Sequence, residues 1–88
     1  MSNQPSRNGT SIENAIIIDN TENHFEGVNA EYRHLTAMYG ERGVGWILEK
    51  QSLIQENGRY YDFIEIKLSH GSVVSLYFDI TSFFGKGF

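Results

Sequence analysis

Three histidines, His24, His34 and His70, and a group of carboxylates are the side chains here best suited to acid–base or metal chemistry, yet their spacing favours neither. His24 and His34 stand ten residues apart; on one helix they point in different directions and do not share a metal. His70 falls in a loop, and all three read as solvated polar residues. Asp19, Glu22 and Glu26 cluster where a helix begins, a place where the helix dipole favours negative charge, and they lack the spacing of a calcium loop. Asp62 and Asp79 approach each other at one end of a sheet, where a close pair would raise one pKa. Strand alternation sends Asp62 to the inner face and Asp79 to the outer, which argues against a working dyad. No serine occupies a nucleophile-elbow context. Gly40, Gly43 and Gly45 leave a helix and enter a strand, the reverse of a phosphate-cradling loop, and read as a helix-to-strand turn. Gly85-Lys86-Gly87 lacks the Ser or Thr and the following helix of a nucleotide loop. No catalytic residue, metal ligand or cofactor site is assigned.

Composition narrows the remaining classes. The chain has 88 residues, enough for one domain with one modest core. Eleven acids against seven bases give a formal charge of −4. The bases, Arg7, Arg33, Arg42, Lys50, Arg59, Lys67 and Lys86, are scattered, whereas phosphate-backbone binding needs clustered cations. Nucleic acid is therefore not an expected partner. Cysteine is absent, so no disulfide or thiolate site supports the fold, which suits a reducing cytoplasm. The longest aliphatic block, Ala15 to Ile18, is too short to span a bilayer, and residues 1–11 do not resemble a signal peptide. A soluble cytoplasmic protein is expected.

The elements that must position these residues follow from periodicity. Residues 1–11 are polar and read as a flexible tail, with a single α+β domain over 12–88. Ile12 to Asp19 holds three consecutive isoleucines and reads as a short buried strand. From His24 to Gly40, Phe25, Val28, Tyr32, Leu35 and Tyr39 recur at steps of three and four and form one helical stripe. Asn23 and Glu26 make a capping box, Gly40 makes the stop, and Glu31, Arg33, His34 and Glu41 are expected to face water.

The last half reads as a three-stranded antiparallel meander. Two three-residue loops, Glu56-Asn57-Gly58 and Ser69-His70-Gly71, pair Trp46 with Leu68, Leu48 with Ile66, Ile66 with Val74 and Ile64 with Leu76. A two-residue Asn-Gly loop would set Glu49 against Ile66, an acid in the apolar row. The expected order is β-α-β-β-β, with the helix on one face of a mainly antiparallel sheet. The first strand lies parallel to either the second or the last. The predicted core is Phe25, Tyr32, Leu35, Trp46, Leu48, Ile64, Ile66, Leu76 and Phe78. The outer face then carries Ile47, Glu49, Gln51, Leu53, Tyr61, Phe63, Glu65, Lys67, Val73, Ser75, Tyr77 and Asp79.

Two surfaces remain for binding. The outer face aligns Gln51, Phe63 and Tyr77 in one row beside Tyr61, and the neighbouring acids disfavour stacked nucleic-acid bases. The C-terminus offers Phe84, Lys86 and Phe88, while Phe83 and Phe84 are expected to fold back onto the core. The leading expectation is a non-catalytic protein-interaction module, such as an inhibitor, adaptor or accessory subunit, binding a protein partner or itself. A small-ligand-binding domain and a small enzyme are the alternatives. No membrane association is expected.

Overall fold

The computed structural model describes residues 8–18 and 24–84, with the backbone alone at His24 and Phe25. The elements run β1 (Ile16–Ile17), α1 (His24–Tyr39), β2 (Trp46–Glu56), β3 (Arg59–Leu68) and β4 (Val73–Asp79). They form an α+β domain in which the four strands make one sheet of order β1-β4-β3-β2. β2, β3 and β4 pair antiparallel, and β1 joins β4 in parallel through Ile16 opposite Phe78 and Ile17 opposite Asp79. The expected capping residue Asn23 and the turn at Asp19-Asn20 lie outside the described residues.

β1 is shorter than the run of aliphatic residues suggests because the chain turns just before it. Asn14 N–H reaches both Ser11 O and Ser11 Oγ at 3.2 Å, and Ala15 N–H reaches Ile12 O at 3.2 Å. Gly9, assigned above to the tail, is buried and accepts from Tyr77 N–H at 2.7 Å, beside the place where Ile16 meets β4. At φ +80° it uses a backbone region open to glycine, and an added Cβ would stand 2.8 Å from Ile16 Cδ1.

The β2–β3 hairpin corrects one expectation and keeps another. Its loop has two residues, Asn57 and Gly58, both at positive φ (53° and 77°), with Glu56 opposite Arg59. This is the type I′ arrangement that Asn-Gly favours. Trp46 still faces Leu68 and Leu48 still faces Ile66, because a bulge between Leu48 and Lys50 absorbs Glu49 as an extra residue. Beyond that bulge the alternation of β2 is reversed. Lys50, Ser52, Ile54 and Glu56 share the outer face with Glu65, Phe63, Tyr61 and Arg59, while Gln51, Leu53 and Gln55 lie on the helix side. The β3–β4 turn is the expected three-residue loop, closed by Gly71 N–H on Leu68 O at 2.8 Å with Gly71 at φ +98°.

Leu35, Trp46, Ile64, Ile66, Leu76 and Phe78 form the core with Ile16, Ile18, Ile80 and Phe83, and Tyr32 and Leu48 pack partly against it. The side chain of Phe25 lies outside the described residues. Two helical positions differ from the expected water-facing set. Glu31 is completely buried, and His34 is half-buried, edge-on to Phe78 with ring centres 5.7 Å apart. The helix packs closely on the turn after β4 at Gly27, where an added Cβ would run into the Phe83 ring. Phe83 thus folds back as expected, and Phe84 stacks on Tyr60 with centres 4.2 Å apart. At the other helix end, the Trp46 indole N–H caps Gly40 O at 2.8 Å, and the Arg42 guanidinium stands 5.0 Å over the Tyr32 ring.

Candidate functional site

Among the described residues the helix covers one face of the sheet, and no helix or strand lies over the other. That open face holds the Phe63 and Tyr77 rings, half-buried with centres 5.1 Å apart. They lie directly opposite each other on β3 and β4 and share their row with Ser52. Gln51 is not in that row; the bulge carries it to the helix side. Four positions along, Ile47, Lys67 and Val73 form another row, with Ile47 46% and Val73 56% exposed. Between them lie Lys50, Glu65 and Ser75, so apolar rows alternate with a polar one.

Tyr61 belongs to the open face by register but is only 8% exposed. It shares the lining of a hollow of about 320 Å³ with Ile12, Glu13, Ile17, Arg59 and Asp79, so the segment before β1 closes in over this end of the face. Phe84 is occupied by its stack on Tyr60. Lys86 and Phe88 lie outside the described residues. The structure therefore brings Phe63 and Tyr77 together and sets Gln51, Tyr61 and Phe84 apart from them.

A second arrangement lies between helix and sheet. Glu31, on the buried line of α1, faces Asp62 of β3, and both are buried. As carboxylates both groups would only accept, and no donor reaches either Glu31 oxygen. Burial first, and then the neighbouring Asp62, push the Glu31 carboxyl from its ordinary value near 4.5 up to about 10. Glu31 therefore keeps its proton at neutral pH and donates it in a hydrogen bond to Asp62. Gln51 completes the cluster: its Nε2 donates to Asp62 Oδ2 at 2.9 Å, and its Oε1 lies 3.4 Å from the Tyr32 hydroxyl. A hollow of about 450 Å³ beside Tyr32 is lined by Asn29, Arg33, Thr36 and Ala37 of the same helix and does not reach the acids.

Asp79, on the opposite face, has donors in plenty. It accepts from Thr81 N–H at 3.0 Å, Thr81 Oγ1 at 2.7 Å, Arg59 Nε at 3.0 Å and Arg59 Nη2 at 2.9 Å. Burial pushes its carboxyl upward, but the Thr81 and Arg59 donors outweigh that and hold it below its ordinary value. His70 is exposed, and His34 is lowered by burial. No group of three or more His, Cys, Asp or Glu among the described residues is placed to hold a metal, and no helix among them is long and apolar enough to cross a membrane.

Glu31 is the residue that sequence reasoning missed, although a signal was present. It stands three residues after Val28 and four before Leu35, squarely on the stripe, and was displaced from it only because Tyr32 is more apolar. No family model matches this chain, and comparisons with curated proteins and with solved structures find no significant match.

Proposed function

We propose that this protein is a non-catalytic protein-interaction module, an inhibitor, adaptor or accessory subunit that engages a protein partner through its open sheet face. One observation carries the reading. The Phe63–Tyr77 ring pair sits on a face without a covering element among the described residues, with the exposed Ile47 and Val73 beyond the row of Lys50, Glu65 and Ser75. Aromatic rings surrounded by aliphatic and mixed-charge neighbours are the composition of an interface centre with a polar rim. The absence of cysteine supports a cytoplasmic setting.

The test replaces both rings, Phe63→Ser with Tyr77→Ser, and compares capture of host proteins by the two forms. A photo-crosslinking residue at Val73 should trap the same partner, and one at Met38 on the exposed side of the helix should not. Loss of the partner with an unchanged circular dichroism spectrum is expected. Retention of the partner by the folded double variant would overturn the proposal. If the variant unfolds, cross-linking from Val73 decides alone, and its failure to trap a partner would count against the face.

A small-ligand or catalytic role is the second reading, and Glu31 is the observation that favours it. A proton-bearing acid beside a second carboxyl is the arrangement from which enzymes build general acids. Its complete burial weighs against contact with a substrate. Unaltered partner binding by Glu31→Gln would assign the pair to the interior of the fold.

A further inference from the structure

We infer that two copies of this chain pair through the free edge of β2, antiparallel and centred on Leu53, to form one continuous eight-stranded sheet. This goes beyond the open-face reading, because it uses the rim of the sheet and a different set of residues.

β2 is an edge strand of eleven residues whose one partner among the described residues is β3. Such an edge presents a row of unpaired N–H and C=O groups and is a template for another strand. Which groups point outward follows from the turn. In a two-residue hairpin the flanking residues, here Glu56 and Arg59, exchange their backbone hydrogen bonds with each other. Glu56, Ile54, Ser52 and Lys50 then direct their backbone groups to β3, and Gln55, Leu53 and Gln51 direct theirs outward.

A two-fold axis through Leu53 matches this pattern. Leu53 exchanges hydrogen bonds with its own copy, and Gln51 with Gln55 of the second copy, so every outward group between the bulge and the turn is used. The same register sets Lys50 opposite Glu56 on the outer face, twice by symmetry. Moving the axis by one residue in either direction removes that charge match, leaving Lys50 opposite Ile54 or Gly58. On the helix side Leu53, 53% exposed and the most open aliphatic of the strand, meets its own copy. The remaining edge of the dimer is β1, two residues long and continued by Gly9 on Tyr77, so the assembly closes at two copies.

The test is sedimentation velocity of the full chain from micromolar to millimolar concentration, with charge swaps at the paired positions. The wild type is expected to pass from monomer to dimer. Lys50→Glu should weaken the dimer roughly tenfold by placing like charges opposite each other, and so should Glu56→Lys. The double swap, Lys50→Glu with Glu56→Lys, should restore it, which a merely structural role for either residue would not do. The Phe63→Ser, Tyr77→Ser protein should dimerise as the wild type does, so failure of this inference and failure of the open-face proposal are distinguishable. A wild type that stays monomeric throughout, or single swaps without effect, or a double swap that does not recover, would each overturn the pairing.

Discussion

Glu31 and Asp79 are both buried acids, yet the chain treats them in opposite ways. Asp79 collects four donors from Thr81 and Arg59, so its charge is solvated by protein in place of water. Glu31 has no donor for either oxygen and faces another acid, so it stays neutral by holding a proton. The contrast teaches that burial alone does not decide an acid's state; the local supply of N–H and O–H groups does. Asp79 ties strand to turn through polar contacts, whereas Glu31 is a conditional part of the core whose stability depends on the proton.

The sharpest way to break this contrast is to remove the proton's importance. Folded Glu31 holds a proton up to about pH 10, whereas the unfolded chain releases it near 4.5. Its stabilising contribution is fully present below 4.5, declines by about 1.4 kcal/mol per pH unit above it, and is lost as pH passes 10. Glu31→Gln, which stays neutral and can donate to Asp62, should abolish that slope and add as much as about 5 kcal/mol at pH 8. Urea midpoints measured from pH 5 to 9 would show it; parallel profiles for the two proteins would mean Glu31 reaches water.

Asp79→Ala should act in the other direction and less strongly. At pH 7 it leaves the Thr81 donors without their acceptor and should cost about 1–3 kcal/mol. Because the folded carboxyl is held below its ordinary value near 3.8, its contribution is present above that value and fades as pH falls through the lower folded one. Thermal melts of wild type and variant should therefore converge in strong acid and separate at neutral pH, the reverse of the Glu31 pattern. A constant difference at every pH would reduce Asp79 to a packing role.

Gln51→Leu is the smallest change and the finest probe of the comparison. Losing the amide that donates to Asp62 should cost about 0.5–1.5 kcal/mol, more in the wild type than in the Glu31→Gln background, where a second amide takes its place. A double-mutant cycle in urea reads the difference, and strict additivity would show that Glu31 and Gln51 do not act on Asp62 together.

Much of this architecture is legible in the residues. The isoleucine run, the helical stripe ending at Gly40 and the alternation around Ile64, Ile66, Leu76 and Phe78 specify the element order and the inner face of β3 and β4. Choosing the edge that β1 joins needed three-dimensional information, because a parallel crossover fits β2 or β4 equally well in sequence. The bulge was hidden for a different reason. Parity assumes an unbroken ladder, so the Asn-Gly turn and the Leu48–Ile66 pair looked incompatible, and one extra residue at Glu49 reconciles them. Of the candidate site, the Phe63–Tyr77 row was readable and the Glu31–Asp62 contact was not. Hydrophobicity locates a stripe by its apolar members and passes over an acid that enters the core as a neutral group.

That extra residue at Glu49 also shapes the free rim of the sheet. Lys50 follows Leu48 in the ladder as though Glu49 were an insertion, so deleting it would leave a regular hairpin with its turn and its alternation intact. What would be lost is the twist and kink that a bulge imparts, and with them the interruption partway along the free rim of the sheet. A straight, flat edge running from Trp46 to the turn would accept a foreign strand at several offsets instead of one. A chain lacking Glu49 should therefore fold as well and pair less uniformly along β2, while the two-residue β1 still blunts the other edge of the sheet.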